Sequence, residues 1–183
     1  LADEYGLDKI TIPTGFQPRA ALGFSFSLIL LLLNRLKFIQ DDVITLVENS
    51  IEPLELLSNE LKESDNTSLV IAKKIHNTCP IIYGSEELTW VATLRLRGQL
   101  AENAKMLSFH HHFPEQNHNE IEGWECHPDL LATKCIIWLK DKDDHPRSLG
   151  RMEETAKLLD GQAGKQVEIA EKGRSALIRL LKM

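Results

Sequence analysis

Short apolar runs alternate with longer periodic segments along most of the chain. The runs 80–84, 106–109, 134–139 and 167–170 have the length and the β-branched content typical of buried strands. Helical periodicity is predicted for 86–105, 120–123, 148–159 and 175–182. Short strands that alternate with helices indicate an α/β fold, a parallel sheet with helices on both faces. Right-handed crossovers then place the loops after the strands at one edge, where ligands usually bind.

The first 80 residues have a helical pattern instead. The apolar run 20–33 follows an extended, proline-containing loop, and its length is below the roughly 20 residues that a bilayer span requires. Because the run is apolar on nearly all sides, we expect a buried helix. Residues 41–63 form an amphipathic pattern that Asp41 or Asp42 can cap and that Pro53 can kink. A turn and a short helix, 68–77, follow.

The composition of the chain favours a folded protein and argues against nucleic-acid-binding and membrane-spanning proteins. The chain has 183 residues, and its 43% hydrophobic content is sufficient for a packed core. The net charge of −6 and the absence of a Lys/Arg stripe argue against a nucleic-acid surface. Three cysteines without a framework spacing indicate reduced thiols, so we expect a cytoplasmic protein without a membrane span. No signal peptide is visible, and the abrupt ends suggest a piece of a longer protein.

The most polar stretch, 93–124, carries the candidate chemistry. Glu120 follows a polar run at a predicted strand-to-helix transition, where it is either a functional carboxylate or a glutamate stabilised by the helix dipole. The triplet His110-His111-His112 suggests a metal, but alternate residues of a strand face opposite ways and no carboxylate spacing follows. We therefore predict no metal site.

Two further groups of polar residues are candidates for ligand contacts. Arg19 opens the buried helix, whose N-terminus favours an anion; the alternative is an ordinary surface ion pair. Gln99 and Asn103 share one helix face with Glu102, which has Lys105 as an alternative partner.

Five motifs in order along the chain resemble one known family, the bifunctional phosphoglucose/phosphomannose isomerases of the sugar isomerase (SIS) group. They are Gln17-Pro-Arg-Ala-Ala-Leu-Gly, Ile82-Tyr-Gly, Arg97-Gly-Gln-Leu-Ala-Glu-Asn-Ala-Lys, Pro114-Glu-Gln-Asn-His-Asn-Glu-Ile-Glu-Gly-Trp and His145-Pro-Arg. The resemblance implies a three-layer αβα SIS domain over 46–183, without its C-terminal end. Residues 1–45 would be the end of a first SIS domain and a linking helix.

The resemblance also implies an activity, the interconversion of glucose 6-phosphate and/or mannose 6-phosphate with fructose 6-phosphate through a cis-enediolate. Glu120 would be the base, Arg19 would bind the substrate and stabilise the enediolate, and His145 would open the sugar ring. His118 competes with His145 for that role and, with Gln99 and Asn103, is an expected substrate contact. The family needs no cofactor, and it implies a homodimer with a shared active site. The alternative is a non-catalytic SIS module that binds sugar phosphates in a regulator.

Overall fold

Four parallel strands form the sheet around which residues 50–183 fold. They are β1 (Cys79–Ser85), β2 (Phe109–Phe113), β3 (Lys134–Leu139) and β4 (Lys165–Ile169), in the order β2-β1-β3-β4. The chain passes from β1 to one neighbour, β2, and then crosses over to the other neighbour, β3. The carboxyl ends of β1 and β3 therefore border the topological switch point, the usual ligand crevice of such sheets.

Helices cover both faces of this sheet, so the predicted three-layer αβα architecture is confirmed. On one face, α3 (Thr67–Ile75) and α4 (Trp90–Ala104) pack on a buried cluster that includes Ile82 and Ile137. The other face carries Tyr83 and Trp138. It is covered by the 3₁₀ segment Ile121–Glu125, by α6 (Pro128–Leu131) and by α7 (Pro146–Leu158). Two further short helices are α5 (Gln116–Asn119), between β2 and the 3₁₀ segment, and α8 (Ala176–Lys182) at the end.

The burial of the strands explains which of them the sequence predicted correctly, and one predicted strand has to be corrected. β3 is apolar at nearly every position because both of its faces are covered. The prediction of a strand over 106–109 is wrong, since β2 covers Phe109–Phe113 and contains the three histidines. β2 lies at the edge of the sheet, where half-buried polar side chains are tolerated, so its sequence lacks the apolar signature of the inner strands.

Gly84 in β1 allows α4 to approach the sheet closely. A Cβ at Gly84 would lie 2.7 Å from Cγ2 of Thr93 and 2.9 Å from Oγ1 of Thr89. Both threonines are fully buried, so neither can move away without displacing the start of α4.

We therefore expect Gly84→Ala to lower the free energy of unfolding by about 1–3 kcal/mol through overpacking. Gly98→Ala is the control, because Gly98 lies within α4 with nothing within 4 Å of its added Cβ. That change should stabilise the protein by about 0.5–1 kcal/mol. Urea unfolding of both variants measures the two effects, and a neutral Gly84→Ala would contradict the close packing.

Residues 1–49 form a separate unit of the computed structural model, which describes residues 1–183 throughout and divides at Asn49/Ser50. The unit contains the 3₁₀ turn Pro18–Ala20, α1 (Leu22–Arg35) and the start of α2 (Val43–Glu60). Asp42 caps α2 as predicted, by accepting a 3.1 Å hydrogen bond from the amide of Thr45. None of the helices is long and apolar enough to cross a membrane.

The prediction that α1 is buried is wrong. No residue of α1 is buried, and its exposed apolar side chains are Leu22, Phe24, Ile29, Leu31 and Leu32. A helix that is apolar all round needs partners on every side, and this unit contains too few other apolar segments to supply them.

Candidate active site

Glu120 lies between two short helices, in the connection that follows β2. It ends α5 and precedes the 3₁₀ segment Ile121–Glu125, and it is half-buried. Its side chain makes no capping hydrogen bond to either helix. The structure therefore gives no support to the interpretation of Glu120 as a simple helix cap, and its carboxylate is engaged elsewhere.

The partner of the Glu120 carboxylate is Tyr83 on β1. The phenol of Tyr83 donates a short hydrogen bond to Oε1 of Glu120, and it accepts a 3.0 Å hydrogen bond from Nε1 of Trp124. Tyr83 is fully buried. Burial, together with the nearby Glu120 charge, raises the pKa of Tyr83, which keeps the phenol protonated as a donor.

His145 lies at the same edge of the sheet, after β3. It is the N-cap of α7, and its Nδ1 accepts a 3.1 Å hydrogen bond from the amide of Arg147. This bond fixes the neutral tautomer with the hydrogen on Nε2. The ring is exposed, so Nε2 is available for proton exchange with a ligand.

A buried ion pair holds the loop between β3 and His145. Arg179 of α8 donates two hydrogen bonds to the Asp141 carboxylate, of 2.6 Å from Nε and 2.8 Å from Nη2. Arg179 also contacts Asp143, and it donates from Nη1 to the carbonyl of Gly173 at 3.0 Å. The loop that leads to His145 is therefore attached to the last helix of the chain.

The two buried carboxyl groups of this loop have pKa values shifted in opposite directions. Burial alone would raise the pKa of Asp141, but hydrogen bonds from Arg179 and from the amide of Asp143 outweigh it and lower that pKa. Burial raises the pKa of Asp144, although its Oδ2 accepts hydrogen bonds from the amide of Asp141 and from Thr89 Oγ1. Asp141 is the ion-pair partner, and Asp144 ties the loop to the residues that follow β1.

A second polar link joins the carboxyl end of β1 to α7. Glu87 accepts a 3.1 Å hydrogen bond from Ser148 Oγ and a short one from Ser85 Oγ. Thr89 Oγ1 accepts a 2.7 Å hydrogen bond from the amide of Ser85. These contacts border the switch point between β1 and β3 and position the first turn of α7, which His145 caps.

Glu120 and His145 belong to the connections that follow β2 and β3, two strands that are separated by β1. The carboxyl ends of these two strands are two strand spacings apart, roughly 10 Å.

The other predicted site residues lie on α4, on α5 and in the unit of residues 1–49. Gln99 and Asn103 hydrogen-bond to each other in the last turns of α4. His118 is exposed on α5. Arg19 belongs to the other unit, where it is half-buried in the 3₁₀ turn that precedes α1.

Two of the three histidines of β2, His111 and His112, have their rings edge to face, with centroids 5.3 Å apart. His111 contacts Asn119 Oδ1 through Nε2 at 3.0 Å, and its Nδ1 accepts from the amide of His112. Burial lowers the pKa of His110, and the charge of Arg97 lowers it further. No group of three or more His, Cys, Asp or Glu side chains in the chain is arranged to hold a metal ion.

A family profile matches residues 64–183, which is most of the α/β unit. It is described as the bacterial phospho-glucose isomerase C-terminal SIS domain. The chain belongs to this family.

The relatives of this SIS domain chain are named as bifunctional isomerases and, in one case, as an epimerase. A bifunctional phosphoglucose/phosphomannose isomerase of Caldicellulosiruptor bescii is 38% identical, over 100% of this chain and 55% of its own length. One from Aquifex aeolicus is 34% identical over 98% of this chain and 52% of its own length. A D-glucosamine-6-phosphate 4-epimerase of Sulfolobus acidocaldarius is 30% identical over 67% of this chain and 37% of its own length. The chain thus spans about half the length of the two bifunctional isomerases.

Solved structures support the fold alone. A proposed sugar binding protein of Salmonella typhimurium LT2 aligns with a TM-score of 0.52 at 12% identity, over 74% of this chain and 38% of that one.

Sequence reasoning missed the residues that hold the candidate groups in place. Tyr83 lies in the Ile-Tyr-Gly motif and Trp124 ends the Glu120 motif, but neither motif indicates that the two side chains meet. Asp141 and Arg179 are 38 residues apart, so no spacing rule could pair them. The available signals were a tyrosine in a buried strand and an arginine with apolar neighbours in the last helix, since buried polar groups require partners.

Proposed function

We propose that the protein containing this SIS domain chain is an aldose-ketose isomerase, which interconverts glucose 6-phosphate and/or mannose 6-phosphate with fructose 6-phosphate through a cis-enediolate. The observation that supports this most is the Glu120 carboxylate. It lies in the connection that follows β2, in an Asn-His-Asn-Glu sequence of a chain from an isomerase family. It caps no helix and is held by a buried tyrosine, as a preorganised base requires.

The proposed roles follow the chemistry. Glu120 removes the proton from C2 of the aldose and returns it to C1, a general-base contribution of about 10²–10⁴-fold. Arg19 binds the substrate and offsets the negative charge of the enediolate. His145 transfers a proton at the ring oxygen, for which its neutral tautomer and exposed Nε2 are suited; His118 remains the second candidate. Gln99, Asn103 and His118 are the proposed substrate contacts.

The proposal includes an assembly. We expect a cytoplasmic homodimer whose subunits share each active site, with no cofactor, nucleic-acid partner or membrane association. The three free cysteines suit a reducing compartment. The boundaries proposed for the two SIS domains, 1–45 and 46–183, belong to the same proposal.

A coupled assay tests this function on the complete natural protein. We expect fructose 6-phosphate from glucose 6-phosphate, from mannose 6-phosphate or from both, at rates that EDTA does not change. Glucosamine 6-phosphate is the comparison substrate, since one relative is named as its 4-epimerase. Turnover of that sugar alone would replace the proposed substrate. Binding of the hexose phosphates without any turnover would instead support the regulatory module.

A further inference from the structure

We infer that Tyr83 is a positioning residue for Glu120. The two successive hydrogen bonds from Trp124 to Tyr83 and from Tyr83 to Glu120 leave a single carboxylate oxygen, Oε2, to carry the proton in isomerisation. The inference rests on the proposed function and goes beyond it, because it assigns the atom that does the chemistry and the residues that fix it.

The direction of the hydrogen bonds follows from the donors available. The indole Nε1–H of Trp124 can only donate, so the Tyr83 oxygen accepts from it at 3.0 Å. The hydroxyl hydrogen of Tyr83 is then directed to Oε1 of Glu120. Because Tyr83 is fully buried beside a carboxylate, the phenol stays protonated and the direction does not reverse.

The consequence for Glu120 is an asymmetric carboxylate. Oε1 is occupied by the phenol hydrogen, whereas Oε2 accepts no hydrogen bond from residues 1–183. A fixed Oε2 can serve both C2 and C1, since neighbouring carbons are only about 1.5 Å apart. The carboxylate therefore need not rotate between removing the proton and returning it.

Tyr83 is a rigid support for this arrangement. It lies on β1, which has strands on both sides, and its ring packs against Phe113 at 5.9 Å and Trp138 at 5.2 Å between centroids. Glu120, by contrast, lies in a connecting segment between two short helices. The hydrogen bond from Tyr83 thus restricts the movement of the Glu120 side chain, although the backbone of Glu120 lies outside the sheet.

Tyr83→Phe in the complete natural protein tests the inference, because it removes only the hydroxyl group. We expect kcat to fall about 10–100-fold, the range for a lost hydrogen bond to a charged group, with KM changed less than about threefold. Trp124→Phe should also lower kcat, by a smaller factor than Tyr83→Phe. Ile137→Val is the matched control: it removes one buried methyl group from the cluster on the other face of the sheet, away from Tyr83 and Glu120, so it should lower the melting temperature and leave kcat within about twofold.

A second readout does not depend on turnover. The hydroxyl proton of Tyr83 should give a downfield NMR resonance typical of a donor to a carboxylate, and Glu120→Gln should move it upfield. A wild-type protein that isomerises sugars, combined with an unchanged kcat in Tyr83→Phe or an unmoved resonance in Glu120→Gln, overturns the positioning role. A wild-type protein without isomerase activity overturns the proposed function, and the catalytic part of this inference with it, even where the resonance shows the hydrogen bond.

Discussion

Replacing Glu120 by glutamine is expected to lower kcat for hexose 6-phosphate isomerisation by about 10²–10⁴-fold, while KM changes by less than about threefold. Glutamine has nearly the same size as glutamate, and its amide oxygen can still accept the hydrogen bond from Tyr83. The side chain should therefore stay in place, but it no longer has an oxygen that can take a proton. The loss falls on the chemical step and not on binding.

Two measurements separate this result from general damage. In D₂O, the wild-type protein should exchange the transferred hydrogen with solvent during turnover, and Glu120→Gln should lose that exchange together with kcat. The control is Glu122→Gln, an exposed glutamate on the following 3₁₀ segment, which should retain wild-type rates. Wild-type turnover by Glu120→Gln would show that another group is the base.

Arg179→Met is expected to give the largest loss of stability, about 3–5 kcal/mol in the free energy of unfolding at neutral pH. Methionine fills much of the volume, but it leaves the Asp141 carboxylate, whose side chain is 0% exposed, without a counter-ion. Such a loss is a large fraction of the net stability of an ordinary domain. The loop that leads to His145 should become mobile as well, because Arg179 also holds Asp143 and Gly173.

The pH dependence of this loss has a defined sign. The pKa of Asp141 is lowered in the folded protein, so its stabilising contribution is complete above the unfolded value, about 3.9. That contribution disappears as the pH falls through the lower folded-state pKa. In Arg179→Met, burial without the guanidinium raises the pKa of Asp141. The difference between wild type and variant should therefore be largest at neutral pH and shrink with falling pH as soon as Asp141 of the variant takes up a proton.

Urea unfolding as a function of pH measures both effects. Lys182→Met on the same helix is the control; it breaks the partly exposed 3.3 Å pair with Glu171 and should cost no more than about 1 kcal/mol. If Arg179→Met does not fold, the double variant Asp141→Asn/Arg179→Met should recover structure, since no buried charge remains unpaired. Equal losses in the Arg179 and Lys182 single variants would show that the buried pair contributes little.

The inner strands were predictable because their surroundings are simple. β3 has the predicted bounds, 134–139, since a strand covered on both faces must be apolar along its length. β2 was placed too early because an edge strand can include half-buried histidines, which local hydropathy does not distinguish from a loop. For α1, the apolar composition led to a prediction of burial, but no residue of the helix is buried. Burial depends on which elements surround a helix, and composition does not contain that information.

The order of residues was sufficient to predict that strands and helices alternate, and its family motif singled out Glu120 as a candidate base. Both are local properties, recorded in residues that are neighbours along the chain. The groups that surround the Glu120 carboxylate are known only from the folded chain. Tyr83 reaches Glu120 across 37 residues, and Arg179 reaches Asp141 across 38. Buried polar groups must form hydrogen bonds, and their partners are the groups that lie next to them in the folded protein. Strand order determines which groups those are, whereas spacing along the chain does not.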